Sequence, residues 1–190
     1  ELLMADSSLM ELQKEVNGLL GLGDESAKGE VELCETPRFA LADEEAWKSH
    51  LASQGFVVIA AAATKQELQH AWMLLWDFIE ASDQSGRTRR SDVNSWQDSN
   101  LKDVGWPAGK EDGLLHDRGI GQAELLWYIR GLKSVRDVFG AIWQTKQLVT
   151  SFDGAGVFRP FGRNDSWRTT KKTWHHVDQA HTKIGLHCIQ

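Results

Sequence analysis

The sequence predicts an α+β domain with helices first and strands last, an order in which helices cover a sheet or barrel. Apolar residues recur at helical spacing through 64–79 and again through 134–143. After Trp143 the texture changes to short apolar runs separated by polar turns, the pattern of β-strands. A length of 190 residues is enough for one domain with a real core, since a chain of this size buries roughly 70 % of its unfolded surface. Nine tryptophans exceed ordinary usage and supply large aromatic anchors for a core or a pocket.

Residues 1–36 read as an N-terminal amphipathic helix and a linker. Leu9, Leu12, Val16, Leu19 and Leu20 share one face of a helix over 7–20, which Gly21 and Gly23 end; a packing or docking element is the expected role. The stretch 21–36, rich in Gly, Glu and Asp, is the linker, and Pro37 opens the main domain, 37–190. In that domain Asp43 can cap a helix that runs through Ala52 and stops at Gly55. The apolar run 56–59 then reads as a short buried strand.

Thr64 and Glu67 form a capping box ahead of Leu68, Ala71, Trp72, Leu75, Phe78 and Ile79, which line one helix face. Residues 83–121 carry Gly86, Gly105, Pro107, Gly109, Gly113, Gly119 and Gly121 with little apolar periodicity, so a long irregular connection is expected there. Two helices follow, the first over 123–130. The second begins at Ser134 and lines Val135, Val138, Phe139, Ile142 and Trp143 along one side. Beyond them, 148–152, 156–158, 174–178 and 184–189 are expected strands, with a polar turn region at 163–172.

The formal net charge is −6 and the basic residues form no long run, which excludes a general attraction to nucleic acid or anionic lipid and leaves a small-molecule substrate as the expected partner. No stretch reaches the roughly 18 apolar residues of a membrane span. The opening ELLMADSSLM has neither the cationic region nor the apolar block of a secretory signal. Cys34 and Cys188 are far apart and belong to no CxxC pair, which fits a reducing, cytoplasmic setting. No GxSxG elbow is present, and the GIG at 119–121 reads as a turn before a helix rather than a nucleotide loop.

The chemistry-bearing stretch is TWHHVDQAH at 173–181. On a strand His176 and Asp178 share a face, with roughly 6–7 Å between their Cα atoms, and one cation fits between them. His175 and Val177 point the other way. An imidazole with a carboxylate suits a divalent metal, and His-x-Asp is two thirds of the facial triad that leaves open positions on Fe(II). Spacing alone leaves three readings: a hydrogen-bonded pair in a partly buried strand, a facial triad completed by a distal histidine, and a zinc site closed by His181 or His187 with a bound water.

The stretches QGFVVIAAAATKQELQHAWMLLWDFIE, GIGQAELLWYIRGLKSVRDVFGAIW and SFDGAGVFRP, followed by WHHVDQ, resemble in order the phytanoyl-CoA dioxygenase-like proteins, which are Fe(II)- and 2-oxoglutarate-dependent oxygenases. The resemblance covers about 38–190, with HVDQ after SFDGAGVFRP its most specific part. It implies helices packed on a double-stranded β-helix, a jelly-roll core of the cupin-like kind that encloses a ligand cavity. It also implies that His176 and Asp178 are the first two iron ligands, and that 2-oxoglutarate is consumed as O₂ is activated to hydroxylate a small organic or acyl substrate.

In that family the third ligand, a histidine, and the arginine that pairs with 2-oxoglutarate come from later strands. This chain is therefore expected to be the N-terminal part of the domain, with a partial barrel. Its rival from another class is a catalytically inactive remnant acting as an interaction module. Arg159, Arg163, Arg168, Lys171 and Lys172 precede the metal pair, either as a solvated basic loop or as a dock for an anionic co-substrate; Arg159 draws most interest because it ends a strand leading toward the site. Trp174 and Gln179 flank the pair, where either would shape the pocket or contact 2-oxoglutarate; core packing is the alternative for Trp174.

Overall fold

A computed structural model describes residues 35–169 and 178–190. Strand β1 (Arg38–Phe39) pairs in parallel with β2 (Val58–Ile59), placing Arg38 opposite Val58 and Phe39 opposite Ile59. Between them runs helix α1 (Glu44–Gln54), with Glu44 and Glu45 in its first turn, where carboxylates complement the helix dipole. Its inner face carries Trp47, fully buried, whose indole N–H donates to the Leu41 carbonyl at 3.2 Å. Gly55 ends the helix in the left-handed conformation, φ 79°, and its N–H caps the Leu51 carbonyl.

Helix α2 (Lys65–Ser82) opens on the expected capping box. Thr64 Oγ1 accepts from the Glu67 N–H at 3.2 Å, and Glu67 Oε2 accepts from the Thr64 N–H at 2.7 Å. Both bonds satisfy donors that a bare helix end leaves open. Thr64→Ala is expected to cost about 1 kcal/mol of stability, read as a lower urea midpoint with unchanged slope.

The inner face of α2 builds the main core. Trp76 and Ile79 are buried with Trp96, Trp106, Ala108, Leu115, Ile120 and Trp167, while Trp72, Leu75 and Phe78 pack at its margin. Most of these partners lie in the irregular 83–121 connection, so that loop is a wall of the core. Helices α3 (Glu124–Gly131) and α4 (Lys133–Trp143) follow. Leu132 between them is buried, and Ser134 Oγ donates to the Ala62 carbonyl, tying the start of α4 to the turn after β2.

The second sheet is antiparallel: β3 (Leu114–Leu115) pairs with β4 (Ala155–Gly156), Leu114 opposite Gly156 and Leu115 opposite Ala155. Gly113, just before β3, has φ +72°, and a Cβ there would lie 2.4 Å from Cε1 of Phe158, so the backbone conformation and the ring above it both require glycine.

Several expected strands turn out otherwise. The 156–158 strand is observed one residue earlier, as β4, and 148–152 and 184–189 run without strand pairing. A short apolar run becomes a strand only where a neighbouring edge takes up its backbone groups, and Val149 and Ile184 are 100 % and 94 % exposed. The strand expected at 174–178 and the helix expected at 7–20 lie outside the described residues, apart from Asp178. Among the described residues the sheets are the two pairs above and no closed barrel is formed, so the jelly-roll core belongs to the proposal below. No helix among them is long and apolar enough to cross a membrane.

Candidate functional site

The route toward the His-x-Asp stretch passes two polar anchors inside the core. The first is Asp83, 3 % exposed, where α2 hands over to the long connection. Its Oδ1 accepts from the Ser85 N–H (3.0 Å), the Ser85 hydroxyl (2.6 Å) and the Gly105 N–H (3.0 Å). Its Oδ2 accepts from the N–H groups of Arg87 (3.1 Å) and Thr88 (2.8 Å). Burial by itself would raise the pKa of this carboxyl, but the hydrogen bonds from Ser85, Thr88 and Gly105 outweigh it and hold the group well below the usual carboxylate range. Beside it, Arg118 donates to the carbonyls of Ser82 (3.0 Å) and Gly105 (3.3 Å), so both ends of the loop are drawn onto the last turn of α2.

The second anchor is Arg159. Its guanidinium lies between the indoles of Trp106 and Trp167, 5.3 and 5.2 Å from their ring centroids. Trp96 stacks near both rings, at 5.8 Å from Trp106 and 6.4 Å from Trp167. The same guanidinium donates to the Trp96 carbonyl at 2.8 Å and to Asp98 Oδ1 at 2.7 Å. Burial lowers its pKa below the ordinary arginine value and Asp98 counters part of that. Arg159 thus ties the segment after β4 to the 83–121 loop. The guanidinium makes its bonds and its cation–ring contacts inside the core, with its side chain 3 % exposed.

The remaining expected site residues are distributed as follows. Arg168 is exposed, bonded to Asp165 at 3.1 Å and stacked 4.4 Å from the Phe161 centroid. Arg163 is also exposed. Trp174, His175, His176, Lys171 and Lys172 lie outside the described residues. Asp178 is exposed, and its Oδ2 accepts from the side-chain amide of Gln190. Gln179 spends its amide on its own loop: Nε2 donates to the carbonyls of Lys183 (3.2 Å) and Gly185 (2.7 Å), and Oε1 accepts from the His187 N–H (2.8 Å). The His187 ring nitrogen Nε2 is 3.0 Å from the Ile184 carbonyl, and His181 is exposed.

Among the described residues no three His, Cys, Asp or Glu side chains converge on one point. Of the His-x-Asp pair only Asp178 is described, and its carboxylate is a donor type that a divalent ion accepts. Asp178 is a solvent-accessible carboxylate already oriented by an amide, the usual support for a ligating carboxylate. Sequence reasoning missed Asp83, Asp98 and Gln190. An Asp at a helix end followed by Ser and Gly is a turn signal that pointed toward Asp83, whereas nothing local links Asp98 to Arg159 or Gln190 to Asp178.

No protein-family model and no solved structure matches the chain. Among curated proteins, Ava biosynthesis cluster protein O of Aspergillus versicolor is 25 % identical over 172 residues, covering 87 % of this chain and 49 % of that protein. The chain thus spans about half the length of the curated relative it matches.

Proposed function

We propose that this chain carries the first part of the metal site of an Fe(II)- and 2-oxoglutarate-dependent oxygenase, resembling the phytanoyl-CoA dioxygenase-like proteins and acting on a small organic or acyl substrate. The observation that carries the reading is the exposed carboxylate of Asp178, turned onto the Gln190 amide and set two positions after His176. His176 and Asp178 hold the ion. The bound iron supplies O₂ activation, with 2-oxoglutarate as the co-substrate that is consumed. In the proteins that this chain resembles, the third ligand, a histidine, and the arginine that grips 2-oxoglutarate belong to later strands of the jelly roll. In sequence Trp174 and Gln179 flank the pair; Gln179 closes its own loop, and Arg159 braces the segment after β4 from inside the core. A relative whose name places it in a biosynthesis cluster accords with a small-molecule substrate.

The test is a titration of the chain with Co(II), a stand-in for Fe(II), followed by paramagnetic shifts in NMR spectra. Shifts centred on His176 and Asp178, abolished in both His176→Ala and Asp178→Ala, are the expected result. Zinc binding that survives Asp178→Ala and is lost in His181→Ala or His187→Ala would replace this reading with a zinc site.

A second reading rests on a separate observation. Val149, Phe152, Phe158 and Ile184 are all exposed apolar side chains that a partner could cover. An inactive remnant serving as an interaction module would use that surface, and it is the better account if Co(II) produces no shift.

A further inference from the structure

We propose that Gln179 is a positioning residue: its side-chain amide closes the 180–187 loop and thereby holds the amide of Gln190 on the Asp178 carboxylate. The role of that carboxylate as a metal ligand rests on the reading above.

The loop has little else to hold it. Residues 180–187 are exposed, contain no helix or strand, and include Gly185 in the left-handed region at φ +92°. One backbone bond, Lys183 N–H to the Ala180 carbonyl at 2.9 Å, makes the first turn. Apart from the His187 ring nitrogen, 3.0 Å from the Ile184 carbonyl, the closure comes from one amide, which accepts the His187 N–H and donates to the carbonyls of Lys183 and Gly185. Three backbone groups facing inward around a single side chain form a closed loop whose ends meet at Gln179. The chain therefore returns alongside its starting point, and Gln190 arrives against Asp178 Oδ2. A carboxylate with one oxygen held by an amide meets a cation from a restricted direction. Loss of such support in metal sites typically costs 10–100-fold in affinity.

The experiment compares the full chain with Gln179→Ala and Gln190→Ala, using amide hydrogen exchange at His187 and a Co(II) titration read from paramagnetic shifts. The His187 amide is expected to be protected in the parent chain and to exchange at the open-chain rate in Gln179→Ala. Co(II) affinity should fall about tenfold in that variant. In Gln190→Ala the Co(II) affinity should fall similarly, with His187 protected as in the parent. Equal His187 exchange in parent and Gln179→Ala overturns the clamp. Lost protection with unchanged Co(II) affinity overturns the positioning role while leaving the metal reading intact. If the parent chain takes up no Co(II), the metal reading and the positioning role fall together, and His187 exchange alone decides whether Gln179 closes the loop.

Discussion

Arg159→Ala is expected to cost about 3 kcal/mol of stability and to lower the thermal midpoint by on the order of 10 °C. Three losses coincide. The Trp96 carbonyl loses its donor, Asp98 loses its counter-ion, and the space between Trp106 and Trp167 is left unfilled. Asp98 is about one third exposed, so water recovers part of its charge and the cost falls at the lower end of the range for a broken buried pair. Arg159→Lys should recover less than half of the loss, because a point charge on a flexible stem cannot cover two indole faces and bond two acceptors at once. Urea unfolding followed by tryptophan fluorescence is the direct measurement, since the indoles of Trp106 and Trp167 contact the replaced group. A fully restored midpoint in the lysine variant would mean that charge alone matters there and that the planar stacking contributes nothing.

Asp83→Ala should be of similar size, on the order of 3 kcal/mol at neutral pH, because the N–H groups of Ser85, Arg87, Thr88 and Gly105 lose their acceptor, two of them at buried positions. Its effect also depends on pH. The folded-state pKa of Asp83 lies below the 3.8 of a free aspartate, so the unfolded chain takes up the proton first. The stabilisation is therefore complete above that value and is withdrawn as pH falls below 3.8 through the folded-state pKa. The gap in urea midpoint between the parent and the variant should be widest near pH 7 and narrow steadily below about pH 4. A gap that stays constant down to pH 2.5 would show that the five hydrogen bonds do not depend on the charge.

Helices were the legible part of this chain. The Thr64–Glu67 box, Gly55 as a stop and the apolar face ending at Ile79 all act through bonds and contacts within one or two turns, so their residues announce them wherever the rest of the chain goes. Strands were legible only as extended apolar runs, since a strand exists when another strand pairs with it. The run 56–59 found β1 beside it and 155–156 found β3, while 148–152 and 184–189 met no such edge. The candidate site divides the same way. His176 and Asp178 stand out by their spacing in the sequence alone, but a basic residue after an apolar run reads alike whether its guanidinium meets a bound anion or takes partners inside the core. For Arg159 the partners are Asp98 and the Trp96 carbonyl, 61 and 63 positions away, together with the indoles of Trp106 and Trp167.

By itself, then, the sequence determined the helices from residue 44 onward, the Thr64–Glu67 box, the Gly55 stop and the excess of indole, all of them properties of neighbouring residues, whereas Asp43 precedes its helix without a side-chain capping bond. Only the tertiary structure decided that the glycine-rich connection is a wall of the core, that Arg159 and Asp83 serve as its internal anchors, and that Gln179 gathers its own loop. For Arg159 and for the bond from Gly105 to Asp83 the physical reason is separation along the chain: a buried charge takes the partners that folding brings within hydrogen-bond reach, and those partners carry no mark of it in their local sequence.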